Sequence, residues 1–593
     1  MLNTRIGKIG RLACAALLAT LSATLLTTLL ATLLASPLTA ADTPDPVVAA
    51  AAGGQIVAKN GMVVTQDAAA ARVGVDILRR GGNAVDAAVA VGFALAASYP
   101  RAGNIGGGGF MVIHLADGDN AAIDYRETAP AGIDAKSFLD ANGNADPQKS
   151  RYSALSIGVP GTVAGLALAE RKYGSGRFTL ADLIAPAIAM ARDGVPLSED
   201  ITEGPPNILE RLQRWPSSAR IFLKADGSAL VAGDRLVQSD LADTLAAIAR
   251  DGADAFYDGP IAQKLAAAVQ AAGGVMTPGD LKNYRAIERE PVRGTYRGYD
   301  VIAMPPPSSG GVELVEMLNI LEGYDLARDD AAQTDYLEIE AMKRAYADRG
   351  LFLGDPDKVH DPVARLVSKA YAARWRATID PAKATPASAI RAGAGAGADP
   401  EGHNTTHFSI IDRFGNAVAN TYTLNFAYGV GLVAGSTGVL LNNELDDFAA
   451  KPEAPNAYGL VGYEANEPGP GKRPLSSMTP TIVLKDGKPF LVVGSPGGSR
   501  IITTVLQVIV NVIDRGMTLA AAVAAPRVHD QWLPDQVFAE PGVPADVIAN
   551  LQARGATVVP QRPFTSAESI MVTPGGFVGA ADPRTPVGLA AGY

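Results

Sequence analysis

The chain has 593 residues, 48% of them hydrophobic and 19% charged, with 63 glycines and a formal net charge of −10 at pH 7. That balance is foreign to a disordered chain, and the net acidity without a Lys/Arg cluster argues against a nucleic-acid or polybasic membrane-surface partner, since phosphate binding needs clustered cations. Length alone predicts about three or four units of ~150 residues, and the composition points to a large α/β enzyme with many tight turns.

Arg5, Lys8 and Arg11 precede an apolar run from Leu12 to Leu34, and small residues follow in SPLTAAD. This order predicts a secretory signal over 1–40, cut after Ala40 or Ala41. The run is longer than an ordinary signal core, so an uncleaved membrane anchor is the alternative. The single cysteine, Cys14, lies inside it, with Arg11 where a lipidation motif wants an apolar residue. Removal of the signal would leave no thiol and hence no cysteine nucleophile, thiolate metal site or disulfide. Export without cysteine suits a bacterial periplasm or an extracellular space.

Beyond the leader, MVVTQ predicts a strand, and AAAARVGVDILRR and NAVDAAVAVGFALAASYP predict two buried Ala-rich helices separated by Gly81 and Gly82. NIGGGGFMVIHL runs four glycines into an apolar strand. It lacks the Gly-Lys-Ser/Thr and the following helix of a phosphate-binding loop. Residues 150 to 390 read as a mainly helical scaffold, and Pro386 to Glu401, nearly bare of large apolar side chains, reads as a linker. THFSIIDRFGNAVANTYTL then predicts a hairpin turning at Arg413 to Asn416, TPTIVLKDGKPFLVVGSP a second at Asp486 and Gly487, and RIITTVLQVIVNVIDRG a buried helix.

Five histidines are available as bases or ligands: His114, His360, His403, His407 and His529. GSPGGS at 494 to 499 does not have the GxSxG spacing of a nucleophile elbow. His403 and His407 are four apart but lack the glutamate of a zinc-protease helix, so no metal site is assigned. A Ser-His-Asp triad has no support. One nucleophile needs no separate base: a threonine at a chain terminus, whose own α-amine, with an unperturbed pKa of about 7.7 to 8.0, accepts the hydroxyl proton. Cleavage before Thr405 would create one behind a mobile linker. Taken alone, Thr405 and Thr406 read first as ordinary strand residues, a role threonine fills well.

TTHFSIIDRFGNAVANTYTLN, GLVAGSTGVLLNNELDDF, RPLSSMTPTIV and GSPGGSRIITTVLQV resemble, in this order, the γ-glutamyltransferase (γ-glutamyl transpeptidase) family of N-terminal-nucleophile hydrolases. The likeness extends to AKNGMVVTQDAAAARVGVDILRRGGNAVDAAVA, NIGGGGF, YRETAP and the terminal ADPRTPVGLAAGY. It implies an α+β fold, a four-layer αββα sandwich, made as a precursor that cuts itself between Asn404 and Thr405. The pieces would be a large subunit, 41–404, ending in a flexible linker of about 386–404, and a small one, 405–593, held as a heterodimer.

Residue by residue, the resemblance implies Thr405 as nucleophile, Thr423 as the hydroxyl orienting it, and Gly497 and Gly498 as the oxyanion-binding pair. Arg126 would grip the donor's α-carboxylate with Ser476 and Ser477, its alternative being an ion pair with Glu127. Asp447, helped by Glu444 and Asn425, would hold the α-ammonium, with the cation and the anions at opposite edges of the pocket. DFAAKPEAPNAYG matches a lid loop found in some relatives, with Tyr458 as its gate. The implied activity is hydrolysis and transfer of γ-glutamyl groups from glutathione and its analogues to water, amino acids or peptides, with no metal or organic cofactor. A cephalosporin or glutaryl acylase on the same scaffold is the enzymatic alternative, and an uncut, non-catalytic secreted binding protein the other.

Overall fold

The alternation of side chains along 405–423 builds the centre of the molecule. In a computed structural model describing residues 46–593 except 200, 204–206, 391–404 and 564, Thr405–Asp412 pairs antiparallel with Ala417–Thr423. Successive side chains of a strand face opposite sides. Phe408, Ile410, Val418 and Tyr422 therefore enter a core shared with helices, while Ile411, Ala417 and Ala419 meet the strands of a second sheet. The leader with Cys14, and His403, Asn404 and most of the expected linker, lie outside the described residues.

The hairpin occupies the middle of an eight-stranded sheet ordered Val48–Ala51, Leu589–Gly592, Gly61–Thr65, Thr405–Asp412, Ala417–Thr423, Gly108–His114, Asn120–Tyr125, Ile287–Arg289. The second sheet has seven strands, ordered Gln55–Ala58, Gly576–Ala580, Ser569–Thr573, Lys488–Val493, Thr481–Lys485, Tyr299–Ala303, Val292–Tyr296. Between the sheets lie Met62, Val64, Phe110, Val112, Ile482 and Val492.

Each outer face is covered by helices. Ala68–Arg79 starts where the Asp67 carboxylate accepts the Ala70 N–H, and Ala84–Ser98 starts at a capping box formed by Asn83 and Asp86. Every residue of Ala84–Ser98 is buried, in keeping with a helix that is apolar on all sides apart from Asp86 and Ser98 near its ends. Gly310–Leu321, Ala331–Phe352 and Arg500–Ile513 cover the other sheet. The result is the four-layer αββα arrangement.

Two expectations need correction. The chain from Val47 to Tyr593 is one unit, not three or four. The reason is long-range pairing: Thr405–Asp412 lies beside Gly61–Thr65, and Leu589–Gly592 beside both Val48–Ala51 and Gly61–Thr65. The linker, in turn, does not begin at 386. Ala387–Ile390 forms a helical turn whose Ala387 N–H donates to Asp535 at 2.9 Å and whose carbonyl accepts the Trp532 Nε1–H at 3.0 Å, with Ile390 buried. No helix among the described residues is long and apolar enough to cross a membrane.

Candidate active site

Thr405 opens its strand on the inter-sheet side, the face also used by His407 and Ser409, and is 7% exposed. Register places it opposite Thr423, and its hydroxyl donates to Thr423 Oγ1 at 3.3 Å. Thr423 Oγ1 is itself fixed by the Asn425 N–H at 2.8 Å. Asn425 adopts a left-handed φ of 70°, which asparagine tolerates. This turns its side-chain amide toward the Asn443 carbonyl, 2.9 Å away, and lets its Oδ1 accept the Tyr458 hydroxyl at 2.6 Å. Farther along the strand from Thr405, the His407 ring nitrogens meet Thr421 Oγ1 at 2.8 Å and Ser409 Oγ at 3.1 Å. Among the described residues no group of three or more His, Cys, Asp or Glu is placed to hold a metal.

Arg126 follows the strand Asn120–Tyr125 and is fully buried. Its Nε donates to the Pro474 carbonyl at 3.0 Å, one terminal nitrogen pairs with Glu444, and the other reaches Asp447 Oδ2 at 2.5 Å. The Glu127 carboxylate is farther, at 4.0 Å, so the alternative pairing is the weakest of the three. The expectation that cation and anions stand at opposite edges is therefore corrected: Arg126 pairs directly with both acids. Burial pushes the carboxyls of Glu444 and Asp447 up, against the downward pull of the Arg126 charge, and raises Glu127 to about 7. Three buried carboxyls around one guanidinium cannot all be ionised together at no cost, so the cluster holds protons readily.

The serines and glycines close the site from the second sheet's side. The Ser476 N–H donates to the Pro307 carbonyl at 2.8 Å, and Ser476 Oγ accepts the Met478 N–H at 3.1 Å. Gly497 and Gly498 have φ of 125° and 55°, values L side chains rarely adopt. Their carbonyls accept from the Arg500 and Ile501 amides at 3.1 and 3.2 Å, so the pair leads into the N-terminus of Arg500–Ile513, the positive end of the helix dipole. A Cβ on Gly498 would stand 2.3 Å from the Tyr458 ring.

A pocket with about 280 Å³ of empty space gathers most of the predicted groups: Arg126, Thr405, Thr423, Asn425, Glu444, Asp447, Tyr458, Ser476, Ser477 and Gly498 line it, and Gly497 is not among the lining residues. Leu460, Met478 and Ile501 complete the lining and were not foreseen, nor was Asn443, which accepts from Asn425 and, through its Oδ1, from the Phe426 N–H at 3.0 Å. Apolar wall residues carry no chemical signature, whereas the paired asparagines in LNNELDDF stand out beside a buried acidic loop. The arrangement can place a hydroxyl next to a small substrate that carries both a positive and a negative group.

A family model described as gamma-glutamyltranspeptidase matches residues 70–592. The chain is 52% identical over 540 residues to a glutathione hydrolase proenzyme of Escherichia coli strain K12, covering 90% of this chain and 92% of that one. It is 39% identical over 546 residues to an acylase ACY 1 proenzyme of Pseudomonas sp. strain SE83, covering 90% and 94%. Among solved structures, cephalosporin acylase from Bacillus halodurans superposes with a TM-score of 0.77 at 28% identity, over 91% of this chain and 97% of that one. The gamma-glutamyltranspeptidase of Helicobacter pylori gives a TM-score of 0.53 at 44% identity, over 55% and 93%. The match across 70–592, together with the pocket built around Thr405, makes the conclusion plain: the chain belongs to the gamma-glutamyltranspeptidase family.

Proposed function

We propose that the chain is made as a precursor, is cut between Asn404 and Thr405, and then hydrolyses and transfers γ-glutamyl groups of glutathione and related amides. The observation that carries this is the placement of Thr405: first residue of a central strand, hydroxyl 3.3 Å from Thr423, in a pocket that also holds Arg126, Glu444 and Asp447.

Once cut, Thr405 has its own amine to accept the hydroxyl proton. The oxygen attacks the γ-carbonyl, and the N–H groups of Gly497 and Gly498, at a helix N-terminus, take the charge that develops on the carbonyl oxygen. The C–N bond breaks, the leaving amine receives the proton, and a γ-glutamyl ester remains on Thr405. Water, or the amine of an amino acid or peptide, then takes the acyl group. Arg126 exchanges its bonds to Glu444 and Asp447 for the donor's α-carboxylate, assisted by Ser476 and Ser477, and the freed acids with Asn425 receive the α-ammonium. Tyr458, held to Asn425 by its hydroxyl and packed on Gly498, closes the cavity over the glutamyl group. The two pieces act as a heterodimer, and the leader directs them to the periplasm or outside the cell.

The likeness to acylases keeps a second reading in view, a glutaryl or cephalosporin acylase. Buried acids beside Arg126 favour a donor with an ammonium group, which glutaryl compounds lack. Rates on γ-glutamyl-p-nitroanilide and glutaryl-p-nitroanilide separate them: the γ-glutamyl compound is expected to be strongly preferred, and a glutaryl preference would reverse the assignment. A single uncut band on a denaturing gel, with neither compound turned over, would instead identify a binding protein.

A further inference from the structure

Behind Ser476 and Ser477 lies a second buried cation to which the mechanism gives no role. Arg349, 3% exposed, comes from the long helix Ala331–Phe352 of the outer layer and points into the layer beneath. Its Nε donates to Ser309 Oγ at 3.1 Å, and a terminal nitrogen stands 3.5 Å from Ser477 Oγ. Ser309 in turn grips the next residue of the pair: its N–H and its hydroxyl both reach the Ser476 carbonyl at 2.9 Å. Through these contacts one guanidinium braces both serines, one through its hydroxyl and the other through its backbone.

The charges facing Arg349 are Glu313, whose Oε1 is 3.6 Å from Nε, and, across the pocket, Asp447, whose carboxyl feels its field. Burial, opposed by the Arg349 charge, raises Glu313 to about 7, so this partner carries a full negative charge only reluctantly. The guanidinium thus meets Glu313 only at this longer distance, while its hydrogen bonds run to Ser309 and Ser477. Its field extends along the Ser477 hydroxyl into the pocket, toward the place where a donor carboxylate would sit opposite Arg126.

We infer that Arg349 is a positioning residue for the donor's α-carboxylate: it holds the Ser477 hydroxyl and, through Ser309, the Ser476 backbone in register and adds a second positive charge behind them, which makes this half of the pocket selective for acyl donors bearing a carboxylate. The inference rests on the γ-glutamyl reading. It predicts that selectivity, and not chemistry, depends on Arg349, because the residue touches neither Thr405 nor the oxyanion pair.

The test compares wild type, Arg349→Gln, Arg349→Lys and Ser309→Ala. Readouts are kcat and KM for γ-glutamyl-p-nitroanilide, and competitive inhibition by glutarate, which has the carboxylate without the ammonium, and by 4-aminobutyrate, which has the ammonium without that carboxylate. Arg349→Gln is expected to be cut like wild type and to keep kcat within a few-fold. Its KM and its glutarate inhibition constant should rise about 10- to 100-fold, the usual worth of a charge-assisted bond. Its 4-aminobutyrate constant should move less than about twofold. Arg349→Lys should recover part of the loss, having the charge without the fork. Equal weakening of glutarate and 4-aminobutyrate, or no change in either, overturns the inference. Should Arg349→Gln fail to fold, Ser309→Ala decides by the same ratio of constants. Failure of the underlying reading looks different: wild type itself would be uncut or indifferent to γ-glutamyl-p-nitroanilide.

Discussion

His407 sits two positions along from Thr405 on the same strand face, wholly enclosed, and burial drives its pKa down from 6.5 to about 3. The folded protein keeps the ring neutral, whereas the unfolded chain protonates it at ordinary acidity. Between pH 6.5 and 3 the unfolded state therefore binds the extra proton, and stability is lost as pH falls through this window, by at most about 1.4 kcal/mol per pH unit. Urea unfolding of His407→Gln at several pH values from 7 to 4 should show a shallower decline than wild type; parallel declines would mean that His407 is not held neutral. Much of the site at this scale was legible in the sequence, but unevenly. Thr405, Arg126 and the glycine pair stand in long motifs of the family. The direct pairing of Arg126 with Glu444 and Asp447 was not legible, because residues 318 and 321 positions apart meet only after both sheets have formed.

Gly498 and Tyr458 show how elements meet to make the site. The left-handed φ of 55° and the ring 2.3 Å from an added Cβ mean that Gly498→Ala must both strain the turn before the helix and displace the Tyr458 ring. Steady-state kinetics should show kcat lowered by about 10²- to 10³-fold, the usual cost of spoiling an oxyanion-hole donor. A variant with unchanged kcat would remove Gly498 from that role. Elements with a strong local signal were visible beforehand: the hairpin at 405–423 is two runs of strand-forming residues about a polar turn, and Arg500–Ile513 is rich in Ile, Val and Leu. The strands Ile287–Arg289, Val292–Tyr296 and Tyr299–Ala303 were not, since Arg, Glu and Gly break their apolar pattern, and two of the three lie at a sheet edge where one side is solvated. The lid and the short turn Glu444–Asp447 have no period at all and were reached through resemblance alone.

At the scale of the whole molecule, the proposed cut falls within a continuous sandwich and not between domains. Strands from 405 onward are hydrogen-bonded on both sides to strands from before it: Thr405–Asp412 to Gly61–Thr65, Ala417–Thr423 to Gly108–His114, and Thr481–Lys485 to Tyr299–Ala303. Two fragments joined by such ladders and by three shared cores should travel together on native size exclusion and separate only in denaturant; separation under native conditions would contradict the interleaved fold. The same interleaving explains why the length-based expectation of several domains failed while the αββα class succeeded. Composition reports average burial, and only pairing between distant strands reports topology. The central claim is that a new amine at Thr405 supplies the base for its own hydroxyl. Terminal sequencing and intact mass of the purified, active protein test it most directly. The account predicts a fragment that begins Thr-Thr-His-Phe at residue 405, in step with activity. Full activity from a polypeptide still continuous through residues 404 and 405 would contradict it.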